Sequence, residues 1–133
     1  MSTRCLVARL NEDGTVDAIY NHFDSYYDGL GADLLKYFDT KEKVDSLIKR
    51  GSGSYVLDEK GYEDGKNSHY DSEDDFFKQV DSDCFIEFGY IWKDNQWFAR
   101  DSKYFLNRTR AEEEDGYFYE LTLLKEILKN QKS

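Results

Sequence analysis

The chain has 133 residues, of which 39% are hydrophobic and 17% aromatic, and it carries a formal net charge of −10. This length predicts a single domain over residues 1–133 with a core of its own. No apolar run approaches the roughly 20 residues of a membrane span, and the N-terminus does not resemble a signal peptide. The negative charge disfavours direct binding to nucleic acid, and we expect a cytoplasmic protein.

A β-hairpin followed by a sharp turn is predicted at the start of the chain. Residues 3–10 and 16–22 are rich in β-branched and apolar side chains, as strands are. Gly14 between them permits the positive φ that a hairpin turn needs. Gly29 and Gly31 then allow the chain to leave the second strand abruptly and enter a helix.

Apolar residues at helical spacing predict four helices. They comprise residues 32–38, a second helix that ends near Arg50, a short helix capped by Ser72, and residues 117–129. We expect Arg50 to interact with the carbonyl end of its own helix, and Gly51 to terminate that helix in a left-handed conformation.

A second hairpin is predicted over residues 84–92 and 97–100, with its turn at 93–96. Residues 55–70 are polar and predict a loop, with a short strand at 55–57 as an alternative. Two hairpins separated by helices indicate an α+β fold. The expected architecture is an antiparallel sheet of two hairpins with helices packed on one face.

The two cysteines, Cys5 and Cys84, show neither a Cys-x-x-Cys motif nor the spacing of a disulfide framework. Each is expected to behave as a small, buried apolar residue. A buried thiol is a poor nucleophile, so Cys84 is not expected to be catalytic.

The pattern His-aromatic-Asp occurs twice, first with His22 and Asp24 and again with His69 and Asp71. If the fold brought the two pairs together, their imidazoles and carboxylates could bind a transition metal or perform acid-base chemistry. A small metal-dependent enzyme is therefore one alternative function. Two separate surface or hinge histidines are the simpler interpretation, and we expect neither a metal nor a cofactor.

The negative charge is concentrated in one quarter of the chain. Residues 55–87 carry 11 acids and 3 bases, a balance of −8, whereas residues 1–54 balance at −2 and residues 88–133 at zero. Within this acidic, partly loop-like region (52–83), the candidate partner-binding residues are Asp58, Glu59, Glu63, Asp64, Tyr70, Asp71, Glu73, Asp74 and Asp75. Such a localised field selects partners, although a solvated surface is the plainer interpretation.

A run of short motifs occupies residues 2–51. They are Ser-Thr-Arg at 2–4, Asn-Glu-Asp-Gly-Thr at 11–15, Tyr-Asn-His-Phe-Asp-x-Tyr at 20–26 and Gly-x-Gly at 29–31. This run resembles a family of small uncharacterised phage and prophage proteins, in which the strand usually ends in Tyr-x-His-Trp-Asp-x-Tyr. Phe23 stands here in place of that tryptophan.

The resemblance implies a small accessory protein of phage origin, and small acidic proteins from that context often inhibit bacterial defence. We therefore expect a non-enzymatic anti-CRISPR or anti-restriction inhibitor in the cytoplasm of the bacterial host. Its expected partner is a host defence nuclease such as a CRISPR effector, bound through an acidic surface that mimics nucleic acid. A phage structural or interaction module is the remaining alternative.

Overall fold

The computed structural model describes residues 3–103 and 120–131. These residues form six strands, β1 (Arg4–Leu10), β2 (Val16–Asn21), β3 (Ser68–Tyr70), β4 (Ile86–Lys93), β5 (Gln96–Asp101) and β6 (Thr122–Leu123). A π-helical turn at Tyr27–Gly31 leads into α1 (Ala32–Tyr37), which is followed by α2 (Lys41–Arg50), α3 (Glu73–Ser82) and α4 (Leu124–Gln131). The predicted α+β class is confirmed.

Both predicted hairpins form, because their turns contain residues that tolerate left-handed backbone conformations. Gly14 adopts a φ of +89° between β1 and β2. Asp94 and Asn95 adopt φ values of +53° and +60° between β4 and β5. Two consecutive positive φ values characterise the turns whose twist matches that of the flanking strands.

Side-chain caps fix where α2 and α3 begin. The Thr40 hydroxyl accepts a hydrogen bond from the Lys43 amide, and the Ser72 hydroxyl accepts one from the Asp75 amide. Each cap satisfies a backbone donor that has no partner inside the helix. At the other end of α2, Gly51 has a φ of +93°, so its predicted role as the helix stop is confirmed.

The sheet is mixed, so the prediction of a purely antiparallel sheet of two hairpins is wrong. Its strand order is β3-β2-β1-β4-β5-β6, and β1 pairs with β4 in parallel. The two hairpins therefore join through their first strands. A parallel pair needs a long crossover connection, which here includes α1, α2 and α3.

Helices cover both faces of the sheet, which corrects the expectation that they pack on one face. On one side α1, α2 and α4 pack on the sheet residues Cys5, Val7, Ile19, Phe88, Tyr90, Trp92, Trp97 and Ala99. On the other side α3 packs on Ala8, Val16, Ala18, Ile86 and Ile91. The central strands are thus buried on both sides, as strands in parallel pairs usually are.

The start of β4 also differs from the prediction. The register between β1 and β4 shifts by one residue just before Cys5 pairs with Phe88, which turns Ile86 toward α3. Cys84 lies in the turn before β4 and is exposed, so the expected burial of its thiol is wrong. Cys5 is fully buried as predicted, and burial raises the pKa of its thiol to about 12.

Two further boundaries differ from the sequence prediction. The helix predicted over residues 117–129 begins only at Leu124, because Thr122–Leu123 pairs with β5 as the edge strand β6. Residues 117–119 of that prediction lie outside the described residues. Residues 55–57 form no strand, and β3 forms further along the same segment.

A buried ion pair fastens α3 to β5. The Arg100 guanidinium donates two hydrogen bonds of 2.8 Å to the Asp81 carboxylate and lies 4.5 Å from the centre of the Phe77 ring. Arg100 is only 7% exposed. Burial raises the pKa of the Asp81 carboxyl. The hydrogen bonds from Arg100 and the Lys103 amide, together with the positive charges of both residues, outweigh burial, so the pKa is lowered overall.

We expect Asp81→Asn to destabilise the protein by about 3 kcal/mol, because it leaves a buried guanidinium without its counter-ion. Urea unfolding measures this change in the free energy of unfolding. Since the folded-state pKa of Asp81 is lowered, its contribution is present above the unfolded-state pKa of about 3.9 and is lost as the pH falls through the folded-state value.

Lys78→Gln is the matched control for this prediction, since the Lys78–Asp75 pair is exposed and 3.9 Å long. The control should change stability by less than about 0.5 kcal/mol. Equal effects of the two substitutions would show that the Arg100 pair does not fasten α3.

Candidate functional site

The acidic loop, residues 51–67, connects α2 to β3 and is organised around Arg50. The Arg50 guanidinium donates hydrogen bonds to four carbonyl oxygens of the loop. Its Nε and Nη2 donate to Gly51 at 3.3 Å and 3.1 Å, and its Nη1 donates to three residues further along. The distances are 2.8 Å to Tyr55, 3.2 Å to Val56 and 2.8 Å to Asp58. The sequence prediction placed Arg50 at the end of its own helix and missed this role.

Close approach of the backbone to itself compacts the acidic loop. A Cβ atom on Gly51 would lie 2.1 Å from the Gly65 carbonyl oxygen. Cβ atoms on Gly61 and Gly65 would lie 2.5 Å and 2.4 Å from the Ser52 carbonyl oxygen. Only glycine permits such contacts, so the glycines that suggested an irregular loop instead allow a tightly folded one.

Six of the nine predicted site residues have exposed carboxylates and lie before and after the edge strand β3 in the chain. We call this set the acidic edge. Its members are Asp58, Glu59, Glu63 and Asp64 in the acidic loop, with Asp71 and Asp74 after β3. None of the ion pairs found in residues 3–103 and 120–131 involves any of them.

The other three predicted site residues make contacts within the fold. Glu73 accepts hydrogen bonds from Lys93 at 3.0 Å and 3.2 Å, which ties α3 to β4. Tyr70 packs edge-on against Phe76 with ring centroids 5.6 Å apart. Asp75 lies in the first turn of α3, within 3.9 Å of a lysine. Glu73 and Tyr70 therefore have structural roles, whereas the exposed pair of Asp75 contributes little to stability.

The two His-aromatic-Asp pairs do not come together. His69 pairs across the sheet with Asp17, whereas His22 lies five residues further along, about 16 Å away at the usual rise per strand residue. Among the described residues, no three His, Cys, Asp or Glu side chains converge as metal ligands do. These two pairs therefore do not form the metal site that the alternative function, a small metal-dependent enzyme, requires.

His69 instead links the edge strand to its neighbour. Its Nδ1 lies 2.7 Å from a carboxylate oxygen of Asp17, and the other oxygen of Asp17 accepts a hydrogen bond from Arg9 at 2.9 Å. The hydrogen bond to Asp17 raises the pKa of His69, and the nearby carboxylates of Asp71 and Asp13 raise it further. Protonation of His69 therefore strengthens the attachment of β3 to β2.

The chain has no significant match among protein-family models, curated proteins or solved structures. The resemblance to phage and prophage proteins therefore stays a prediction from the motifs in residues 2–51. None of the described helices has both the length and the apolar character needed to cross a membrane.

We expect Arg50→Lys to loosen the acidic loop, because a lysine ammonium lacks the planar fork that reaches several carbonyl oxygens together. Loss of one charged hydrogen bond, roughly 1.5 kcal/mol, increases local opening about tenfold. Amide hydrogen exchange of residues 52–66 measures this opening.

Lys49→Gln serves as the control for the Arg50 substitution, because Lys49 is exposed on the same last turn of α2. The control should leave exchange in the loop unchanged. Unchanged exchange in Arg50→Lys would mean that the guanidinium does not hold the loop.

An NMR titration should place the pKa of His69 above the usual value of about 6.5. Because the folded-state pKa is raised, the stabilisation is complete below the unfolded-state pKa and disappears as the pH rises through the folded-state value. Asp17→Asn should return the pKa toward 6.5, whereas Asp71→Asn, which removes only a nearby charge, should lower it less. An equal response to both substitutions would contradict the hydrogen-bonded pair.

Proposed function

We propose that this chain is a phage-encoded, non-enzymatic inhibitor that binds a host defence nuclease, such as a CRISPR effector or a restriction enzyme. The acidic edge would occupy the basic groove in which the nuclease holds nucleic acid. The observation that carries this proposal is the presentation of six exposed carboxylates around a loop fixed by Arg50 and by close glycine contacts.

Fixed carboxylates suit such a groove better than mobile ones. Duplex DNA presents one negative charge per roughly 1.7 Å of its axis, and a nuclease groove is built to bind that density. A surface ordered before binding loses little conformational entropy on association, so more of its electrostatic attraction appears as affinity. The local excess of negative charge also accelerates encounter with a basic partner.

The distribution of ion pairs supports a binding role for the acidic edge. Several acids outside the acidic edge form ion pairs within the fold, as Asp17 and Asp45 do with Arg9 and Asp81 does with Arg100. Those acids contribute to the architecture of the domain. The carboxylates of the acidic edge face solvent, where a basic partner can neutralise their charge.

To test the proposal, we would neutralise the four loop acids with Asp58→Asn, Glu59→Gln, Glu63→Gln and Asp64→Asn together. The assay measures DNA cleavage by purified CRISPR and restriction nucleases at increasing concentrations of the protein. We expect wild type to inhibit at least one nuclease, with excess DNA restoring cleavage. The neutralised variant should inhibit at least tenfold more weakly, and the difference should shrink as salt screens the charges.

The matched control neutralises four exposed acids outside the acidic edge, Glu12, Asp28, Glu42 and Glu126. It changes the net charge by the same amount, so equal loss of inhibition in both variants would point to net charge alone. No inhibition of any nuclease, or inhibition unaffected by the loop substitutions, would overturn the proposal.

A further inference from the structure

Two exposed aromatic residues from distant parts of the chain both contact Ser54, beside the acidic edge. Phe23, in the corner between β2 and the π-helical turn, is 45% exposed, and Tyr62 in the acidic loop is 41% exposed. The Phe23 amide donates to the Ser54 carbonyl at 3.0 Å, and the Ser54 hydroxyl lies 3.5 Å from the Tyr62 hydroxyl. We call this pair, Phe23 and Tyr62, the aromatic corner.

The backbone and neighbouring rings hold Phe23 in place. The His22 ring packs edge-on against it with centroids 4.5 Å apart, and the Tyr20 hydroxyl lies 2.6 Å from the His22 Nδ1. Asp24 adopts a φ of +53°, and its carbonyl accepts a hydrogen bond from the Leu30 amide at 2.9 Å. The corner therefore presents an aromatic ring to solvent on a fixed backbone.

Two other exposed aromatic residues are partnered by a cation from the chain itself. The Lys36 ammonium lies 5.1 Å from the centre of the Tyr37 ring, and the Arg4 guanidinium lies 5.1 Å from that of Phe85. In the described part of the chain, no such cation contact involves Phe23 or Tyr62.

The charges around the aromatic corner favour a cationic partner. Asp24 follows Phe23 directly, and Glu63 and Asp64 follow Tyr62. An arginine guanidinium suits this setting better than a lysine ammonium, because it is planar, weakly hydrated and able to stack on a ring while it hydrogen-bonds a carboxylate.

We propose that the aromatic corner binds arginine side chains on the basic surface of the partner protein. This inference rests on the proposed function, which supplies a basic partner. Phe23 and Tyr62 provide the stacking faces, and the neighbouring carboxylates provide the charge. Aromatic contacts of this kind commonly carry much of the binding energy of an interface, while peripheral charges govern the rate of encounter.

The test compares the binding of a nona-arginine and a nona-lysine peptide by titration at one ionic strength. We expect wild type to bind the arginine peptide about fivefold more tightly. The double variant Phe23→Leu with Tyr62→Leu, which keeps apolar bulk without a ring, should lose this preference. Phe23→Tyr should retain it, and so should the control Tyr37→Leu, which alters an exposed ring outside the corner.

A wild type without arginine preference, or a double variant that keeps it, would overturn the inference. Circular dichroism of each variant establishes that the fold is intact, and Phe23→Tyr supplies a second, conservative readout. If the protein inhibits a nuclease but shows no preference for the arginine peptide, only the role of the aromatic corner is wrong. If the protein prefers the arginine peptide but inhibits no nuclease, only the proposed function is wrong.

Discussion

The ordered acidic loop depends on the Arg50 guanidinium. Residues 51–67 form no helix and no strand longer than a single bridge at Gly53, so ordering them costs about 1–2 kcal/mol of backbone entropy per residue. A single cation that binds the carbonyls of Tyr55, Val56 and Asp58 offsets part of that cost. Close packing of the backbone at Gly51, Gly61 and Gly65 offsets a further part of this entropy cost. Without both features, the loop carboxylates would sample many positions and would not form a fixed array.

Some acids of this domain stabilise the fold, and others face solvent. Asp81 and Glu73 join α3 to the second hairpin through Arg100 and Lys93, and Asp17 joins the edge strand β3 to β2. The residues of the acidic edge precede and follow β3 in the chain, and they take part in none of these pairs. Because β3 is the last strand of the sheet on that side, a partner can approach its flanking carboxylates without disturbing the core.

Features governed by neighbouring residues could be predicted from the sequence. The hairpin turns depend on Gly14 and on Asp94 with Asn95, and the cap of α3 depends on Ser72. Contacts between distant residues could not be predicted, because no local pattern encodes them. The parallel pairing of β1 with β4, the position of α3 on the second face and the reach of Arg50 across the loop all belong to this class. For the same reason, composition located the acidic segment, but only the fold distinguishes its solvent-facing carboxylates from its structural ones.

The most direct test of this account measures the backbone ¹⁵N order parameters of the acidic loop. If Arg50 and the glycine contacts fix the backbone that carries the carboxylates, the values for residues 52–66 should be close to 0.85, the level typical of rigid backbone and expected for α2. Values below about 0.6 would describe a flexible acidic segment. That result would contradict the central claim that the acidic edge is a surface formed before any partner binds.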